Sequence, residues 1–174
     1  MLERNLPARV EELWRPFFCV TTDLLSGELV THRHGDLRLA VAASMCLPGL
    51  APPVVMGGRL LVDGGVLDNL PVAGMAAMSE GPIIASKVNN SEAFAPDPDA
   101  PLTSPAIPET LYRLILLGAH DTVAAARTHA ALVITPDNSD VGMLEFHMLD
   151  RMREAGRRAT VEALERDGAA LLGA

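Results

Sequence analysis

Aromatic side chains are scarce in this sequence: they make up 3% of 174 residues. That excludes the rows of stacking platforms on which proteins hold single-stranded nucleic acid. Positive charge is short as well. Fourteen Lys and Arg stand against 22 Asp and Glu, for a net charge of −8. With no basic run to track phosphates, no nucleic-acid partner is expected. Cysteine is limited to Cys19 and Cys46, far apart and in apolar surroundings. The pair suggests neither a disulfide framework nor a zinc knuckle and favours a reducing compartment. The N-terminus is charged from Glu3 and lacks the apolar core of a secretory signal, so a cytoplasmic location is expected, with peripheral contact at a membrane as a further option.

Apolar residues, by contrast, are abundant at 49%, which excludes disorder. A chain of this length fits one domain and buries roughly 70% of its unfolded surface on folding. The mean hydropathy of +0.23 is high for a self-contained soluble domain. Leu39 to Gly58 runs for twenty residues without a charge. A bilayer-spanning helix is nevertheless excluded by Pro48, Pro52 and Pro53, which break its second half. A buried helix, a turn and a strand are expected there instead.

The periodicity changes along the chain. "PFFCVTTDLLSGELVTHRH" holds two β-rich runs about Ser26-Gly27, a hairpin pattern. "DLRLAVAASMCL" predicts a short buried helix capped by Asp36 and ended before Pro48. "PPVVMGGRLLVDGG" predicts a tight hairpin about Gly57-Gly58 whose second strand stops at Asp63. Asn69 is positioned to cap a helix with Pro71 in its first turn, and "PIIASKV" follows as a core strand. Prolines crowd the segment 91–108, which reads as a loop. A long apolar helix is expected from Glu109 to about Ala130, then a strand at "ALVITP". Two helices are expected over 140–174. The first carries Leu144, Met148, Leu149 and Met152 on one face and ends before Gly156; the second carries Val161, Leu164, Ala169 and Leu172. Alternating strands and helices argue for a layered α/β fold with a mainly parallel sheet.

Asp63 is the residue with the clearest chemical promise. Asp-Gly-Gly alone is an ordinary turn. A carboxylate at the end of a buried strand, however, lies where α/β sheets place their sites, and such an Asp can take the proton of a serine hydroxyl. A serine nucleophile of the usual kind sits in G-x-S-x-G, where small neighbours let it project from a strained turn. No serine of this chain has that setting. Ser44, with Ala42 and Cys46 at the flanking positions, falls within a helical pattern.

Three blocks, "LWRPFFCVTTDLLSGELVTHRHGDL", "AASMCLPGLAPPV" and "LLVDGGVLDNLPV", resemble in order and spacing the C-terminal half of a patatin-like phospholipase domain, in the neuropathy target esterase branch. The resemblance runs from about Leu13 to at least Val88, and the tail from Ala130 is expected to belong to the same domain, so that 1–174 forms one partial domain. It implies a patatin-like α/β fold and a Ser–Asp dyad with Asp63 as its aspartate and Gly64 and Gly65 as its turn. It also implies an acyl site lined by Ser44, Pro48 and Pro53, and no cofactor or metal. In that family the serine elbow and oxyanion loop lie upstream, which implies a chain that begins midway through the domain. Met1 is then a fragment boundary, a split gene or a misplaced start. The implied activity is hydrolysis of phospholipid or lysophospholipid esters. The implied partners are an N-terminal half or a second copy, bound through exposed apolar surface. The competing expectation is a non-catalytic lipid-binding or protein-interaction module on the same scaffold.

Other clusters read as structural. His32 and His34 face the same way if they share a strand, without a third ligand, and are expected to face solvent. Glu145, His147 and Asp150 are expected as a surface group. His120, Asp121 and His129 have no elbow serine to serve. Asp23 is expected to form a turn, and Arg151, Arg153, Arg157 and Arg158 to form a solvated face.

Overall fold

The structure, a computed structural model, describes residues 2–78, 81–88, 101, 103–118, 124–125, 128–138, 141, 145–168 and 171. Two hairpins build its larger sheet. Strands β1 (Cys19–Asp23) and β2 (Glu28–His32) form the first, β3 (Val54–Met56) and β4 (Arg59–Asp63) the second, and the sheet order is β2-β1-β4-β3. Every pairing in it is antiparallel, with Thr21 opposite Asp63 and Asp23 opposite Leu61. Gly57 and Gly58 turn the second hairpin at φ +58° and +77°, the positive pair that a two-residue turn of matching twist demands.

Asp23 does more than turn a corner. It is 3% exposed, and its carboxylate accepts from the backbone N–H of Leu25 and Leu60, the Ser26 hydroxyl and the Arg59 guanidinium. Burial pushes its carboxyl up, but these donors together outweigh burial and hold it below the ordinary range. One side chain thus ties both hairpin tips together.

Helix α1 (Leu2–Asn5) opens the chain, and α2 (Leu37–Ser44) packs on β1, β4 and β3. Asp36 caps α2 as expected, accepting from Leu39 N–H at 2.9 Å. Leu37, Ala40 and Ala43 are its buried face. His32 departs from expectation. It is buried, and its Nε2 lies 2.8 Å from Thr21 Oγ1, because the cross-strand register brings both side chains to one covered face. His34 stands beyond the strand and is exposed.

Helix α3 (Val72–Ala76) begins at Pro71 rather than at Asn69. Asp68 accepts from Leu70 N–H at 3.2 Å, a local turn that delays the helix. Strands β5 (Ile84–Ser86) and β6 (Leu132–Ile134) pair parallel, the one parallel pairing among the described residues, and helix α4 (Ile107–Gly118) lies in their crossover. Hairpin-linked strands must run antiparallel, whereas a parallel pair needs a long connection. Pro108 falls in the first turn of α4, where its missing N–H costs nothing. Most of the proline-rich segment 91–108, together with 119–123, His120, Asp121, Leu144, Ala169 and Leu172, lies outside the described residues.

Among the described residues the C-terminal part carries one α-helix, α5 (Leu149–Asp167), unbroken at Gly156. Its inward stripe is Ala155, Ala159 and Ala163, with Ala159 and Ala163 packed against β6, while Leu149, Met152, Val161 and Leu164 stay exposed. Small residues allow close approach to the sheet, so the larger apolar side chains are left outward. Ile83, Ala85 and Val72 form a neighbouring cluster with Leu70, Ala130 and Val133.

Candidate active site

β4 delivers Asp63 to its end, where the chain turns into a single 3-10 turn over Gly64–Val66. Asp63 N–H donates to Cys46 O at 3.0 Å, which joins the strand end to the segment after α2. Its Oδ1 accepts from Gly65 N–H at 2.7 Å. Neither glycine needs a positive φ. Close approach is the reason instead: a Cβ on Gly64 would lie 2.4 Å from Val20 O, and one on Gly65 would lie 3.1 Å from both Asp63 Oδ1 and Asn69 Oδ1.

The carboxylate is partly buried, and among the described residues no cation pairs with it and no donor reaches Oδ2. Burial pushes its pKa up, against the Gly65 N–H, which pulls it down. A carboxylate so placed is a better proton acceptor than one in water, because its charged form is less well solvated.

Two further groups feel that charge. Burial raises the Tyr112 phenol and the Cys46 thiol, and in each the Asp63 carboxylate adds to the rise. Cys46 Sγ donates to Ala42 O at 3.1 Å. Tyr112 belongs to α4, which packs on the Gly64–Val66 turn and lays Leu111 against Gly49. The sequence marks neither residue as a neighbour of Asp63. Cys46 stands in one of the quoted blocks and could have been found there; nothing local points from Tyr112 to Asp63. Neither cysteine fits a nucleophile's role, since burial holds Cys46 protonated and pushes Cys19 up to about 11.

The other expected site residues are more dispersed. Ser44 ends α2, two residues before Cys46, and no hydrogen bond joins it to Asp63 among the described residues. Pro48 precedes Gly49 in the turn that meets α4, and Pro53 is exposed just before β3. Among the described residues no group of three His, Cys, Asp or Glu could hold a metal ion. Asp150 pairs with Arg153 on the exposed face of α5, and His147 is exposed. No helix among the described residues is long and apolar enough to cross a membrane.

The patatin-like phospholipase family matches residues 3–76, a span that includes the Asp63 turn. An NTE family protein of Mycobacterium tuberculosis is 38% identical over 176 residues, covering 90% of this chain and 30% of that protein. Lysophospholipase NTE1 of Mycosarcoma maydis is 30% identical over 175 residues, covering 90% of this chain and 9% of that protein. Lysophospholipase NTE1 of Pyricularia oryzae is 30% identical over 178 residues, covering 91% of this chain and 12% of that protein. The chain thus spans under a third of the length of these relatives. Over residues 3–76 the chain matches the patatin-like phospholipase family, and over nine-tenths of its length it is similar to NTE proteins.

Proposed function

We propose that this chain supplies the base-bearing part of a serine acyl hydrolase acting on phospholipid or lysophospholipid esters. The observation that carries the reading is the Asp63 carboxylate, desolvated at a strand end with Oδ1 held by Gly65 and Oδ2 unengaged among the described residues. The relatives called lysophospholipases support the substrate class.

The serine comes from other polypeptide, since no serine here stands in G-x-S-x-G. Its Oγ attacks the ester carbonyl carbon while Asp63 Oδ2 takes the hydroxyl proton. Oδ1 keeps the carboxylate oriented through Gly65. The C–O bond to the alcohol breaks as that proton passes to the leaving oxygen, and an acyl-serine remains. Water then attacks the acyl carbon, Asp63 again takes the proton, and the fatty acid leaves as the serine is restored. No metal or organic cofactor enters this sequence.

The test is reconstitution. Mixed with a polypeptide carrying a glycine-rich loop and a G-x-S-x-G serine, the chain is expected to hydrolyse a short-chain ester. Asp63→Asn is expected to lower the rate by about 10²- to 10⁴-fold, the usual worth of a general base. Equal activity of both proteins removes Asp63 from the chemistry. Lipid binding without turnover in either supports instead a module that kept the scaffold and lost catalysis.

A further inference from the structure

A cavity of about 410 Å³ opens beyond the sheet end that carries Asp63. It lies between the segment leading into β1 and the residues leaving β2: Cys19 and His32 are the last paired residues there, and Phe17, Arg33 and His34 line the cavity just past them. Leu13, Trp14 and Met78 complete its apolar wall.

Arg33 is the unusual member. Its guanidinium stands over the Phe18 ring, 5.9 Å from the centroid, and Nη2 donates to Gly74 O at 3.2 Å. Phe18 in turn packs so close to Gly74 that a Cβ there would meet the ring at 2.8 Å. The side chain is therefore fixed from two sides. Yet Nε is buried without a partner, and no carboxylate pairs with Arg33 among the described residues. A half-buried guanidinium held in place with no carboxylate beside it is a ready partner for an anion.

Arg15 adds a second positive charge to the lining, 5.4 Å from the Trp14 ring centroid. One carboxylate also lines the cavity. Glu11 Oε1 is already engaged by Gly35 N–H at 3.0 Å and the Arg9 guanidinium at 3.2 Å, so its charge is met from outside and the wall stays positive on balance.

We propose that this cavity binds the oxyanion head of a single-chain amphiphile, a phosphate monoester or carboxylate, with Arg33 meeting the oxygens. The first methylenes of the chain lie on Leu13, Trp14 and Phe17. A planar guanidinium suits such a head because it offers parallel N–H donors to two oxygens. The site stands apart from proton transfer at Asp63 and needs no hydrolysis to operate.

Trp14 is the only tryptophan of the chain, so its emission reports on the cavity directly. Monododecyl phosphate, titrated below its micelle concentration, is expected to change that emission saturably. Inorganic phosphate separates the two sources of the head group: it is expected to bind about tenfold more weakly, since it lacks the apolar contacts. Arg33→Gln is expected to weaken dodecyl phosphate by about tenfold or more, the scale of a lost charge-assisted hydrogen bond, and to leave dodecyl maltoside unchanged. Arg15→Gln, which leaves the Gly74 contact intact, is expected to weaken it by roughly threefold. If Arg33→Gln does not fold, Arg15→Gln and Arg33→Lys decide in its place. No saturation, equal affinity for dodecyl maltoside, or wild-type affinity in the substituted chains overturns the site. Asp63→Asn is expected to bind as wild type does, which separates a failure here from a failure of the hydrolase reading.

Discussion

At the scale of single residues, Asp63 and Asp23 make a controlled contrast, since both are carboxylates on strands of one sheet. Asp23 is met by four donors that outweigh its burial. Asp63 is met by one, and burial prevails. The first is arranged to stay charged and hold two hairpins; the second is the better proton acceptor of the two. A stability prediction follows from the raised pKa of Asp63. Between its unfolded and folded values the native state binds more protons than the unfolded one. Stability is therefore fully present below the unfolded value and falls as pH rises through the folded value. Asp63→Asn keeps an oxygen for Gly65 and removes the charge. Its thermal midpoint at pH 7 is expected to exceed that of wild type, with the gap closing below about pH 4, near the ordinary Asp value. Midpoints that stay parallel across that range are incompatible with a destabilised carboxylate. Gain of stability with loss of rate is the usual mark of a group kept for chemistry.

Among the elements, those decided by local chemistry match their expectation. Asp36 caps α2, the Gly57-Gly58 pair turns its hairpin, and β4 stops at Asp63. Each depends on residues within a few positions of one another. Elements decided by distant packing differ. Gly156 reads locally as a helix end, but helix-forming neighbours on both sides carry α5 through it, and the alanine stripe facing β6 rewards continuity. A Cβ at Gly156 meets nothing within 4 Å, and its φ is not positive. Gly156→Ala is therefore expected to raise unfolding free energy by about 0.4–1 kcal/mol in urea melts. A helix ending there in a left-handed glycine would lose stability on the same change.

For the molecule as a whole, the high apolar content reappears as uncovered surface. Trp14 is 91% exposed, Val55 74% and Ile107 77%, and they belong to the lead into β1, the edge strand β3 and helix α4. Faces of this kind in water favour association. We expect the weight-average mass in sedimentation to rise with concentration over about 1–100 μM, a range typical of weak interfaces, and a serine-bearing partner to suppress the rise. A compact monomer stable to dilution argues that the exposed side chains serve another purpose.

What sequence alone determined is what short-range chemistry dictates: the α/β alternation, the two hairpins, the capped helix and the carboxylate at a strand end before two glycines. The family resemblance rests on the same contiguous blocks. Tertiary structure alone decided which distant groups surround that carboxylate and which faces are covered. It brought Tyr112 of α4 within reach of the Asp63 charge, turned His32 inward against Thr21, and gave both glycines a steric reason in the nearness of Val20 and Asn69. It also set Arg33 between Phe18 and Gly74, forty-one residues away. The reason is physical. A turn or cap is settled by the conformational preferences of adjacent residues, whereas burial, and the pKa that follows from it, belongs to the space between elements that meet only after the chain has folded.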